Sequence, residues 1–445
     1  MRTRRLRPPA VLLALASLVV LLAAAPSAHA AKGMDIAVQD DAVLFSQRYF
    51  NRSDAYSLLR NMSVSRIRFN AGWAGANGLQ AFQKSVPSNP IYDFTRIDNA
   101  IETARSQGMK VLLSITGPAP AWAAGDKRLT PQGTVRPNPR LFAKFVKIVV
   151  DRYKGRVDAY SIWNEPNHIG WLQPLKEQGT IYRGLFEAAS RVVRKEDPAA
   201  KVIIAETAPY ASKKTTATPP LQFLRQLACV DKAYNPIKGM KCKPLVADAW
   251  AHHPYDYTRP PNSPYPGADN VSMGGLSRLE NALNRVARRK LLATPTGKAL
   301  PLWLTEFGYF ARKETGREKV YSEATRAKYL VQAFDIARKD PRVQVMLQYL
   351  LVEYPLGMFR FNTSIVHLDG THMKTYTKLA SWGRKNAARG EVTSPGPIIP
   401  QTPPTPPGGG GTPPPGGGGG DPGGGGGGEP TPCPVPIVPP LPCPV

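Results

Sequence analysis

Two glutamates have the type and spacing for paired acid–base or nucleophilic chemistry. Glu165 lies in Trp-Asn-Glu-Pro-Asn and Glu306 in Leu-Thr-Glu-Phe-Gly, 141 residues apart, and each follows a short apolar run. A carboxylate at the end of a buried strand is costly unless something requires it. Cleavage of a glycosidic bond is one such requirement. One carboxyl gives a proton to the leaving oxygen and a second works at the anomeric carbon. Either glutamate alone reads as well as a rim ion pair or a helix cap; the pair favours chemistry. Other polar and aromatic groups end apolar runs too: Arg68 and its same-face neighbour Arg66, Asn164, His253, Tyr255, Tyr349, and the tryptophans Trp73, Trp122 and Trp171. Tryptophan faces stack on sugar rings, although core packing competes for each. Glu206 and Asp40 also end strands and offer a different acid/base arrangement.

The elements that must position these groups repeat regularly. Strands are expected to start near Met34, Val64, Met109, Val157, Lys201, Val246, Pro301 and Val343, with helix-period stretches between them. Phe94, Ile97, Ile101 and Ala104 form one helical face that Gly108 ends. Asn138 caps a second helix, Pro139 fits its first turn, and Leu141, Phe142, Phe145, Val146 and Val149 form its apolar face. Helices are also expected over 178–195, 275–292, 321–338 and 374–388, while 211–243 and 254–275 show no readable pattern. Eight such units predict an α/β fold, a closed (β/α)8 TIM barrel. The absence of Gly-x-Gly-x-x-Gly after the first strand removes the main support for a dinucleotide fold. In such a barrel the site lies at the C-terminal ends of the strands, which puts Glu165 on strand four and Glu306 on strand seven at one rim.

Trp163-Asn164-Glu165-Pro166 together with Thr305-Glu306-Phe307-Gly308 resembles the clan A retaining glycoside hydrolases, closest to families 39 and 5, over roughly residues 34–385. The resemblance implies that Glu165 is the general acid/base and Glu306 the nucleophile. It also implies that Glu165 is protonated and Glu306 ionised at rest. Asn164 would bind the sugar 2-hydroxyl, and Arg68 would hold the nucleophile ionised. In His253-x-Tyr255 the tyrosine hydroxyl would contact the nucleophile. Strand eight lacks the tryptophan that many relatives use as a subsite floor, and Tyr349 is the substitute. No metal or cofactor is needed, since two carboxylates suffice. The rival reading is a catalytically silent glycan-binding barrel tethered to the cell wall.

The ends of the chain read differently. Arg2, Arg4, Arg5 and Arg7, the apolar run Val11–Ala25 and the Ala28-His29-Ala30 motif predict a signal peptide over residues 1–30. General secretion fits better than twin-arginine export, and no later segment predicts a membrane span. The domain reading is therefore a barrel over 31–390, followed over 391–445 by a Pro/Gly-rich tail too poor in apolar residues to fold. Export implies an oxidising compartment, and local pairing of Cys229 with Cys242 and of Cys433 with Cys443 is the simplest of three connectivities. A zinc site from Cys229, Cys242, His252 and His253 has the wrong spacing. The formal charge is +26, four units of it from the leader arginines. Scattered lysines and arginines without a binding motif argue against nucleic acid, and leave a solvated surface or contact with an anionic wall polymer. The expected partner is a carbohydrate substrate, and the expected state a monomer.

Overall fold

The computed structural model describes residues 33–75, 78–79, 90–125, 133–211, 216–316 and 318–386. The leader, the tail and the Cys433–Cys443 pair lie outside the described residues. Eight parallel strands close into a barrel in sequence order. They are β1 (Asp35–Gln39), β2 (Arg66–Gly72), β3 (Lys110–Thr116), β4 (Ala159–Ile162), β5 (Lys201–Thr207), β6 (Ala249–His252), β7 (Leu302–Leu304) and β8 (Val343–Tyr349). Pairing of β1 with β8 closes the cylinder, with Gln39 opposite Tyr349 at the mouth. Among the described residues eight α-helices follow the strands: α1 (Arg52–Asn61), α2 (Thr95–Ser106), α3 (Pro139–Tyr153), α4 (Gln178–Glu196), α5 (Pro220–Ala228), α6 (Leu276–Arg288), α7 (Glu323–Lys339) and α8 (Lys374–Asn386).

The caps behave as the sequence predicts. Asn138 accepts from the backbone of Arg140 and Leu141 at the start of α3, with Pro139 in the first turn. Two details differ. Val246 does not begin a barrel strand; Leu245–Val246 pairs with Leu292–Ala293 in a separate two-stranded ribbon, and β6 begins at Ala249. The second is α5, inside the stretch that showed no pattern. Its nine residues are too few for a clear period, and it ends with Cys229 in a left-handed conformation. Cys229 is bonded to Cys242, so the local pairing holds there and those sulfurs are unavailable to zinc.

Strand alternation divides the core in two. Residues such as Ile67, Val111, Tyr160, Val202 and Met346 pack outward under the helices. Ala37, Leu112, Ala159, Ile203, Ala249, Ala251, Trp303, Val345 and Leu347 fill the cylinder, the alanines leaving room for the single indole. Below this plug Arg66 pairs with Asp35 and lies over Trp303, so of the two same-face arginines it is Arg68 that reaches the mouth. No described helix is long and apolar enough to cross a membrane.

Candidate active site

Arg68 is two residues above Arg66 on the same inward face and wholly buried. Its guanidinium organises the floor of the mouth. Nε and Nη2 grip Glu206 at 3.0 and 2.7 Å, Nη2 donates to Asn164 Oδ1 at 2.7 Å, and Nη1 donates to Gln39 and to Glu306 Oε1, the latter at 2.9 Å. The Ser114 and Ser161 hydroxyls complete Glu206 at 2.9 Å each. A bidentate, fully hydrogen-bonded pair is the form in which a buried ion pair is tolerated. Burial opposes charge on Arg68, but Glu206 and Glu306 outweigh it and keep it cationic.

Two bends aim the acids inward. On β4, Ile162 and Trp163 both pack in the outer core, and Trp163 takes φ 66°, so Asn164 turns into the barrel where alternation alone would point it out. Glu165 follows at φ 35°, its N–H on the Glu206 carbonyl at 3.1 Å. On β5, Ile203 faces in and Ala205 faces out; φ of 91° at Ala205 and 50° at Glu206, with a register shift beside β6, swing Glu206 into the cylinder. Non-glycine residues held in this region cost about 1–3 kcal/mol each, which surrounding structure must supply.

His253 continues the inward face of β6, and its Nδ1 lies 3.0 Å from Glu165 Oε1 and 3.7 Å from Glu306 Oε2. One oxygen from each glutamate and a His253 nitrogen all lie within 4.8 Å of one another. Tyr255 donates to Glu306 Oε2 at 3.1 Å. Burial pushes Glu165 up, but the His253 hydrogen bond and charge more than reverse this and leave it below the usual carboxylate range. Burial also pushes Glu306 up, and His253 and Arg68 offset only part of it. Burial works against a charged His253, yet Glu306 and Glu165 carry it above the ordinary imidazole range. These directions run against the expectation that Glu165 holds the proton and Glu306 the charge, and their common cause is the His253 ring, which reaches both acids.

The aromatic expectations divide. Trp122 and Trp171 are half-buried, and the indole N–H of each has no partner among the described residues. Tyr349 ends β8 half-buried; burial and then the Glu306 charge push its phenol up. Trp73 is a correction: it is wholly buried, stacked on Phe145 at 5.6 Å and bonded to Tyr92, so its faces are spent on the core. Asp40 is structural, accepting backbone N–H groups from Val43, Leu351 and Val352. Phe361 escaped the sequence reading because it lies in an irregular loop; its ring stands 5.7 Å from Tyr255 and 5.8 Å from Tyr349.

Residues 29–340 match the family model described as Cellulase (glycosyl hydrolase family 5). Among curated protein sequences nothing matches the chain. Among solved structures it is similar to a family 39 glycoside hydrolase from the gut symbiont Bacteroides cellulosilyticus (TM-score 0.57, 18% identity, 80% of this chain and 64% of that one). It is also similar to a monomeric beta-xylosidase from Caulobacter crescentus (0.50, 16%, 79% and 68%) and a glucosidase from Croceicoccus marinus (0.53, 15%, 80% and 68%). The chain thus spans less than two thirds of the first of these, and likeness at such identities establishes the barrel alone. With the family model covering most of the barrel, the chain belongs to glycosyl hydrolase family 5, within the clan A glycoside hydrolases.

Proposed function

We propose that this chain is a retaining β-glycosidase, exported and acting outside the cell on a poly- or oligosaccharide, with Glu165 as acid/base and Glu306 as nucleophile. The observation that carries the reading is the separation of the two acids, whose oxygens approach within 4.8 Å across the mouth. Retaining pairs lie about 5–5.5 Å apart, whereas inverting pairs leave about 6.5–9.5 Å for a water.

In this reading a Glu306 oxygen attacks C1 while the C1–O bond to the leaving group breaks. Glu165 gives the departing oxygen a proton. Water then attacks C1, passes a proton to Glu165 and releases the sugar from Glu306. Each displacement inverts C1, so the two together retain its configuration. His253, within reach of both acids, is the group through which a proton reaches Glu165 before it is given to the departing oxygen. Arg68 and Tyr255 hold the Glu306 carboxylate in line, and Trp122, Trp171 and Tyr349 offer faces and edges to the sugar. Residues 31–390 carry the chemistry, and the basic surface is a solvated face or a contact for an anionic wall polymer.

Glu165→Gln and Glu306→Gln should each leave the circular dichroism spectrum unchanged and lower kcat on an aryl β-glycoside by at least about 10²–10⁴-fold. Glu306→Ala supplied with azide should release a glycosyl azide. Full turnover in either glutamine variant would remove the assignment.

A further inference from the structure

Asp41 and Asn70 reach the mouth by the same alternation that places Gln39 and Arg68: Gln39 and Asp41 follow one another on the inward side of β1 and the turn after it, and Asn70 stands one layer above Arg68 on β2. Both are half-buried. Asp41 Oδ2 accepts from Gln39 Nε2 at 3.0 Å and from Asn70 Nδ2 at 3.1 Å. The second bond fixes the Asn70 amide, because its NH₂ must face the carboxylate and its oxygen must face away. That leaves two buried acceptors, Asp41 Oδ1 and Asn70 Oδ1, with no donor among the described residues. Both side chains are otherwise held, and hydrogen bonds tie Asp41 to the nucleophile's support: Gln39 donates to Asp41 and accepts from Arg68, which donates to Glu306.

Unsatisfied buried acceptors are costly, and only a donor relieves them. A sugar ring over Glu306 brings hydroxyl donors to this wall. A uronic acid would instead bring a carboxylate against Asp41, Glu306 and Glu165. We propose that Asp41, oriented by Gln39 and Asn70, is a specificity-determining acceptor for ring hydroxyls of the sugar unit bound over Glu306, and that this unit is neutral even where the polymer around it is acidic. The proposal deepens the glycosidase reading and rests on it for the position of the ring.

The test crosses the protein with the substrate. The full-length parent, Asp41→Asn and Asp41→Ala are assayed on neutral aryl β-glycosides, on their monodeoxy analogues and on the aryl β-glucuronide. Binding of the corresponding free sugars is followed by calorimetry, and folding by circular dichroism. In the parent, at least one deoxy analogue should lose about 10–100-fold in kcat/KM, as loss of one hydrogen bond to a charged group predicts. Asp41→Ala should compress that ratio to about threefold or less, with Asp41→Asn intermediate. The parent should turn over the glucuronide at least about 100-fold more slowly than the best neutral glycoside. Equal discrimination by parent and Asp41→Ala, or preference for the glucuronide, would overturn the proposal while leaving the hydrolase intact. No turnover by the parent, with sugar binding that still depends on Asp41, would overturn the hydrolase reading and leave this one standing.

Discussion

Between Glu165 and Glu306 the ring of His253 settles where the proton resides before substrate arrives. Glu306 lies above its ordinary range, so its ionised form is lost as pH falls through that raised value. His253 also lies above its ordinary range, and the shared proton is held until pH rises through it. We expect a bell-shaped kcat/KM profile whose acid limb belongs to Glu306 and whose alkaline limb belongs to the Glu165–His253 pair. His253→Gln should displace the alkaline limb; an unmoved limb would show that the ring is not the proton's carrier. Glu206 gives a prediction of the opposite kind. It shares Arg68 with Glu306, and its charge raises Glu306. Glu206→Gln should shift the acid limb to lower pH, since Arg68 then serves Glu306 with less competition. It should also destabilise the fold by about 3–5 kcal/mol in urea titrations, because a buried guanidinium loses its counter-charge.

At the scale of the element, the bends at the ends of β4 and β5 turn a barrel into a site. Gly117 shows how closely the first is packed. A Cβ there would lie 2.4 Å from Trp163 Cζ2 and 2.6 Å from Cη2, while the indole is fixed by Phe142 and by its hydrogen bond to the Trp171 carbonyl. Gly117→Ala should cost about 1–3 kcal/mol, read from the denaturation midpoint, and should depress kcat more than KM because Asn164 and Glu165 ride on Trp163. A normal kcat would mean that the bend tolerates displacement. The bends also mark where the sequence stopped being legible. Most strand positions, the α3 cap and the inward path of Arg68 follow from periods of 2 and 3.6 and from capping chemistry, and the structure shows them, the sixth strand excepted. Ile203 facing in predicts Glu206 facing out, and only the left-handed Ala205 and Glu206 undo that. Trp73 was ambiguous because an indole after a strand serves a ligand or a core equally well, and its neighbours Phe142 and Phe145 come from another helix. Asp41 gave no signal, since its significance is a missing partner and not a motif.

For the whole molecule, stability draws on one covalent link and on buried titrating groups. The Cys229–Cys242 bond closes a short loop, with a sequence separation of 13. Reducing it should lower the unfolding free energy by about 3 kcal/mol with little change in kcat, measured by urea titration with and without reductant. His252 sets a pH limit. Burial holds its pKa down to about 3, and its ring joins Thr207 Oγ1 at 2.9 Å and the Val271 carbonyl at 3.0 Å. The unfolded imidazole titrates near ~6.5, so between that value and about 3 the unfolded chain binds a proton that the folded one refuses. Stability from this group is complete above ~6.5 and declines as pH falls through the window, by an amount on the order of 5 kcal/mol at most. Asp40, raised to about 7 by burial, works with the opposite sign over an overlapping range. The measurement is therefore the difference between parent and His252→Gln at several pH values, and a constant difference would refute it.

The apolar plug of alanines around Trp303 separates two charged decks, Asp35 with Arg66 beneath and Glu206 with Arg68 above. An apolar layer transmits charge instead of screening it, so what keeps the lower deck quiet at the mouth is that Arg66 and Asp35 face each other as a pair; removing one partner alone would be felt by the catalytic acids above.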